Sequence, residues 1–139
     1  YFQDVITWVE GTFIKKRNFM KGVDWGTLYN EFKDETYDTD KIEKQTAELI
    51  LDDDVTNKKG IYPYLLTSNE KYLNIRAFTP AMKQKVYEKQ KGKCAQCKKE
   101  FALKDMEADH ITPWHKGGKT NEDNCQLLCK EDNRRKSGK

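Results

Sequence analysis

The sequence lacks a long hydrophobic run. No stretch of its 139 residues approaches the roughly 20 apolar residues that a membrane-spanning helix needs. No secretory signal pattern opens the chain either. Charged residues make up 35% of the chain, and the mean hydropathy is −1.00. These features predict a cytoplasmic protein without a membrane partner.

The sequence also lacks internal repeats and low-complexity tracts, and residues 1–78 carry no recognisable chemical motif. A chain of this length suits one domain, or a small domain with a helical extension. Hydrophobic residues at 36%, with 12% aromatic residues, allow only a modest core. The opening Tyr1-Phe2-Gln3 suggests the cut edge of a longer protein.

The net charge of +3 is unevenly distributed along the chain. Residues 1–78 contain 11 basic and 14 acidic side chains, whereas residues 79–139 contain 15 and 9. A basic second half indicates that a polyanionic partner would meet the C-terminal part of the chain. Because lysines often form only a solvated helix face, charge alone is weak support for this partner.

Helical periodicity is the main structural signal of the first half. Apolar residues recur at helical spacing from Val5 to Ile14 and again around Trp25 and Leu28. Thr39 or Asp40 is predicted to cap a third helix. Thr79-Pro80 then begins the clearest helix of the chain, which Gly92 ends. We therefore predict a mostly helical region over residues 1–78 and a separate domain over residues 79–139.

Three of the four cysteines form a candidate metal site. Cys94 and Cys97, separated by two residues, can bind one Zn²⁺ from a tight turn. Cys129 provides a third thiolate, and Asp132 or water a fourth ligand. Cys125 is predicted to be buried instead, because in a strand it would lie roughly 13 Å from Cys129. The alternatives are a metal-free turn and a thiol redox pair.

The dipeptide Asp109-His110 indicates hydrolytic chemistry. In a strand, adjacent side chains point to opposite faces. One of these residues would then face a metal ion and the other a water molecule, which is a plausible arrangement for phosphodiester hydrolysis.

Several ordered motifs carry a family resemblance. They are Cys94-x-x-Cys97, Asp109-His110-Ile-x-Pro, Gly117-Gly118, Asp123-Asn124-x-x-x-Leu-Cys129 and Asn133-Arg-Arg-Lys136. Together they resemble an HNH endonuclease of the ββα-metal type, over about residues 79–139. The resemblance implies an α+β fold: the helical N-terminal region is followed by a two-stranded hairpin and a helix, with a zinc-knuckle-like base. The first strand is expected to end near His110, the second to run through residues 126–128, and the helix to span residues 130–136.

The resemblance also assigns roles to individual residues. His110 would be the general base that activates water, since imidazole titrates near neutral pH. Asp109 and Asn133 would bind a catalytic Mg²⁺ or Mn²⁺ through oxygen. Asn124 would tie the connecting loop and so orient His110. The products would be 5′-phosphate and 3′-hydroxyl ends of DNA.

Basic side chains near these motifs are candidate DNA contacts: Arg134, Arg135, Lys136, Lys116 and Lys119. Asp132 departs from the family pattern, which has a cysteine there, and this puts the Zn²⁺ in doubt but not the catalytic set. His115 is expected to be an exposed loop residue without a role; the alternative is that it donates to the scissile phosphate or assists the metal. The rival interpretation is a zinc-knuckle nucleic-acid-binding module with an inactive nuclease motif.

The first half is similar to the segment that precedes this nuclease in bacterial proteins with a ParB-like N-terminal domain. This similarity implies a role in restriction or phage defence, and an N-terminal domain elsewhere in a longer protein. Because one nuclease site cuts one strand, either a homodimer or sequential nicking of the two strands is also expected.

Overall fold

The computed structural model describes residues 1–138, with side chains for residues 1–136. Lys139, the last residue of the predicted nuclease domain, lies outside this range. The chain divides into two compact units, an N-terminal unit (Tyr1–Arg76) and a C-terminal unit that begins at Ala77. Within the described residues, no helix is both long and apolar enough to cross a membrane.

The N-terminal unit is helical. Its helices are α1 (Phe2–Thr12), α2 (Trp25–Phe32), α3 (Thr39–Leu51) and α4 (Ile61–Thr67). A buried cluster of Phe13, Ile42 and Tyr62 forms its core, with the two aromatic rings 5.0 Å apart. The predicted cap of α3 was wrong by one residue. Asp38 is the cap, because its carboxylate accepts the Lys41 backbone N–H, and Thr39 already lies in the first turn.

The C-terminal unit begins with α5 (Pro80–Lys89), whose N-terminus is capped where the sequence predicts it. The Thr79 hydroxyl accepts the backbone N–H of Met82 at 3.1 Å, and proline opens the helix. Gly92 follows the helix with a φ of +72°, a conformation that favours glycine. Phe78, assigned from the sequence to the first region, belongs instead to the buried core of this unit.

An antiparallel hairpin and a helix complete the unit. Strand β1 (Met106–His110) pairs with β2 (Cys125–Cys129), and α6 (Lys130–Gly138) follows β2 directly. The register pairs Met106 with Cys129 and His110 with Cys125. The predicted fold class is therefore confirmed: a mostly helical first region is followed by a two-stranded sheet and a C-terminal helix.

The alternation of side chains gives the hairpin two different faces. One face carries Met106, Ala108, His110, Cys125, Leu127 and Cys129. The opposite face carries Glu107, Asp109, Gln126 and Leu128, and side chains of α6 reach its acidic residues. The free edge of β2 is covered by Gln90, whose amide bonds both the N–H and the carbonyl of Leu127.

Candidate functional site

A cluster of three cysteines and one aspartate forms at one end of the hairpin. The ligand atoms of Cys94, Cys97, Cys129 and Asp132 all lie within 4.8 Å of one another. Cys94 and Cys97 occupy the turn between α5 and β1. Cys129 ends β2, and Asp132 lies in the first turn of α6. The segments that provide the ligands are therefore distant in sequence and adjacent in the fold.

Backbone N–H groups point at the first sulphur of this cluster. Cys94 Sγ accepts the N–H groups of Gln96, Cys97 and Cys129 at 3.3–3.5 Å. Burial raises the pKa of Cys94, but these hydrogen bonds outweigh burial and leave the pKa below its usual value. The three N–H groups stabilise the thiolate of Cys94, which is the form that binds metal, whereas the hydrogen bond between Cys94 and Asp132 raises the pKa of the thiol.

The aspartate of the cluster is held in its charged form. Asp132 is 8% exposed, and its Oδ2 lies 3.2 Å from Cys94 Sγ. Hydrogen bonds from Cys94, and then from the other two thiols, lower the pKa of Asp132. Three thiols and one carboxylate within this span can hold one four-coordinate metal ion, whose bonds to sulphur are about 2.3 Å long.

Cys125 lies apart from this cluster, at the opposite end of β2. It is 5% exposed and packs in the hydrophobic core of the unit. Burial raises the pKa of its thiol to about 11. Cys125 is therefore a neutral, buried side chain, as the strand geometry predicts.

The acidic face of β1 carries the first predicted catalytic ligand. Asp109 Oδ2 accepts a hydrogen bond from Gln126 Nε2 at 3.0 Å and forms an ion pair with Lys136. Two residues earlier on the same face, Glu107 Oε1 accepts a hydrogen bond from Asn133 Nδ2 at 2.7 Å. Helix α6 therefore brings Asn133 and Lys136, one turn apart, to the face of β1 that carries both acids.

His110 lies on the other face, at the end of β1. Its Nε2 is 2.9 Å from the hydroxyl of Thr120, a residue that is 1% exposed. Its ring is half-buried, with its centroid 4.5 Å from that of Phe78. Asp109 and His110 thus project from opposite faces of one strand, and neighbours on different segments fix the ring of His110.

Asn124 organises the loop that joins the two strands. Its side-chain oxygen accepts the Thr112 N–H at 2.8 Å, and its Nδ2 donates to the carbonyls of Thr112 and Lys119. A Cβ atom at Gly118 would lie 1.8 Å from the Thr112 carbonyl oxygen, so only glycine fits at that position. The loop also contains Thr120, and its conformation therefore affects the position of His110.

The predicted DNA-contacting residues have different surroundings. Arg134, Lys116 and Lys119 are exposed. Arg135 is also exposed but forms ion pairs with Glu131 and Asp132 of its own helix. Lys136 is engaged with Asp109 and with the His110 carbonyl oxygen. The loop residue His115 is exposed.

Sequence reasoning missed four residues of this region: Phe78, Glu107, Thr120 and Gln126. The period-2 alternation of a strand could have identified Glu107, since it lies two positions before Asp109. Gln126 could have been found only from the strand register. Phe78 and Thr120 are far from His110 in sequence, and no motif marks either of them.

Comparison with known families agrees with the resemblance carried by the motifs. Residues 94–139 match the HNH endonuclease family. The match covers about a third of the chain and includes every predicted catalytic, metal-binding and DNA-contacting residue. It indicates a nuclease, and nucleases of the HNH type are metal-dependent and act on DNA. Comparison with curated proteins gave no match to the chain.

Replacement of Asn124 by alanine is expected to destabilise the HNH segment. The change removes three side-chain hydrogen bonds from the loop that joins the two strands, and we expect a loss of about 1–3 kcal/mol. Urea unfolding of the variant measures this loss. Asp123→Ala, at the neighbouring exposed position, is the matched control. Equal stability of the two variants would contradict the role of Asn124 in the loop.

Proposed function

We propose that this protein is a DNA endonuclease that uses Asp109, His110 and Asn133 to hydrolyse phosphodiester bonds. The observation that carries the proposal is the meeting of α6 with the acidic face of β1. There Asn133 reaches Glu107, while Lys136 reaches Asp109. This contact brings an amide of the helix and two carboxylates of the strand to one surface, and His110 lies at the end of the same strand.

A divalent cation fits this surface by the chemistry of its donors. Asp109 and Glu107 supply carboxylate oxygens, and Asn133 supplies an amide oxygen, all of which are ligands that Mg²⁺ and Mn²⁺ prefer. The carboxylates now accept hydrogen bonds from an ammonium and from amide N–H groups, and a divalent cation would replace the ammonium as the positive partner of Asp109. When bound, the ion would stabilise negative charge on the phosphate and on the departing 3′ oxygen.

His110 is proposed to take the proton from the attacking water. In this proposal His110 Nε2 is protonated and its N–H donates a hydrogen bond to the Thr120 hydroxyl oxygen, so that the lone pair of Nδ1 is available to accept a proton from water. Phe78 packs against the ring and limits its rotation. The attack would leave 5′-phosphate and 3′-hydroxyl ends. Thr120 would thus be a positioning residue for the general base.

DNA would be held by the basic side chains around this site. Arg134 and Lys116 are exposed and can bind phosphates without sequence preference. We further propose that two copies act together on the two strands, and that the reaction serves restriction or phage defence. A ParB-like domain elsewhere in a longer protein remains part of this prediction.

A structural Zn²⁺ is proposed for the cysteine cluster. Zinc accepts a thiolate-rich, four-coordinate set, and a carboxylate can replace one thiolate. This ion would cross-link the turn after α5, the end of β2 and the start of α6. It would therefore stabilise the packing of the hairpin and α6, the elements that carry the proposed catalytic residues.

A second candidate function is a nucleic-acid-binding module with an inactive nuclease motif. The ion pair between Lys136 and Asp109 favours it, because the proposed catalytic carboxylate is already engaged. Both candidates share the zinc site and the basic surface. Only the first requires His110 as a base.

Replacement of His110 by alanine is expected to lower the rate of plasmid nicking with Mg²⁺ by about 10²–10⁴-fold, the usual contribution of a general base. His115→Ala is the control, because it removes an exposed histidine from the adjoining loop and is expected to nick at nearly the parent rate. Nicking at equal rates by His110→Ala and the parent would exclude the proposed base. No Mg²⁺-dependent nicking by the parent would favour the binding module.

Elemental analysis of the purified protein is expected to find one zinc per chain. Cys94→Ser is expected to lose this zinc, and Asp132→Cys to retain it and to melt at a higher temperature, because four thiolates bind zinc more tightly. Cys125→Ala is the control that keeps the zinc, since Cys125 lies outside the cluster. Zinc loss in Cys125→Ala, with zinc retained in Cys94→Ser, would contradict the assignment.

A further inference from the structure

The carboxylate of Asp109 is already bound to a cation that belongs to the chain. Lys136 Nζ forms an ion pair with Asp109 Oδ2 and donates a second hydrogen bond to the His110 carbonyl oxygen, 3.1 Å away. The side chain of Asp109 is 24% exposed and that of Lys136 is 40% exposed, so the ion pair lies at the surface. The ammonium therefore contacts one oxygen of the carboxylate that the proposed divalent cation needs.

The position of Lys136 follows from the helix. Lys136 lies three residues after Asn133, and side chains at this spacing share one helix face. Asn133 reaches Glu107, and Lys136 reaches the next acid on the same strand face. The ion pair is thus held by the same contact between α6 and β1 that supports the proposed site.

We propose that Lys136 competes with the divalent cation for Asp109, and that cation binding displaces the ammonium. This inference rests on the proposed function, since it concerns the same carboxylate. Two positive ions at one carboxylate repel each other, so the site holds either the ammonium or the metal. Gln126 is neutral and can keep its hydrogen bond to Asp109 in both states. Lys136 is then a positioning residue that orients the Asp109 carboxylate. It also sets the concentration of divalent cation that is needed to fill the site.

The competition predicts tighter metal binding when the ammonium is removed. The probe is Mn²⁺ alone, with the free ion measured by electron paramagnetic resonance on the zinc-loaded full chain. Lys136→Met keeps most of the side-chain length and is expected to bind Mn²⁺ about three- to tenfold more tightly, because a partly exposed ion pair no longer has to be broken. Lys136→Arg keeps the charge and is expected to bind within about twofold of the parent.

A matched control separates this local competition from a change in net charge. Lys130→Met removes one charge from the exposed start of the same helix, and is expected to change Mn²⁺ affinity by less than about twofold. Thermal unfolding of each variant verifies its fold. Lys136→Gln provides a second neutral variant and is expected to show the same tightening as Lys136→Met.

Asp109→Ala distinguishes failure of the competition from failure of the cation site. Loss of Mn²⁺ binding in Asp109→Ala, with equal affinity in Lys136→Met, Lys136→Gln and the parent, would overturn the competition and leave the proposed nuclease site in place. Equal Mn²⁺ binding by Asp109→Ala and the parent would overturn the cation site, and the competition with it. Equal tightening in Lys130→Met and Lys136→Met would also overturn the competition, since net charge alone would then explain the effect.

Discussion

The register of the β1–β2 hairpin is the constraint on which the candidate site depends. The pairing of His110 with Cys125 determines on which of the two faces of the hairpin each side chain lies. A slip of one residue would exchange the two faces. Asp109 would then turn away from α6, and His110 would lose the Thr120 hydroxyl and the Phe78 ring. The proposed separation of a metal-binding acid and a water-activating imidazole thus follows from a few backbone hydrogen bonds.

Two five-residue strands are not stable alone, so the register depends on groups outside the hairpin. At the centre of β2, Gln90 and the Ala95 N–H bond the backbone of Leu127. At its end, the N–H of Cys129 donates to Cys94 Sγ. At the other end, Asn124 ties the connecting loop. A Zn²⁺ in the cysteine cluster would stabilise the end of the hairpin that lies away from His110. It would therefore affect the reaction only indirectly, by stabilising the fold that positions the catalytic residues.

Sequence reasoning predicted the fold class and the start of α5, because these depend on local signals and on ordered motifs. It misplaced the cap of α3 by one residue, since Asp38, Thr39 and Asp40 are all suitable cap residues and only the hydrogen bond to Lys41 distinguishes them. It could not foresee that Lys136 pairs with Asp109 or that Thr120 meets His110. Those contacts depend on how α6 and the loop pack on the hairpin, and helical or strand periodicity does not encode this packing.

The central claim is that Asp109 and Asn133 share one divalent cation. Anomalous diffraction at the manganese edge, from crystals of zinc-loaded protein grown with Mn²⁺, tests it most directly. We predict a manganese peak within bonding distance of an Asp109 carboxylate oxygen and of the Asn133 amide oxygen, with Lys136 turned away from Asp109. A manganese peak only at the cysteine cluster, or none near Asp109, would contradict the account.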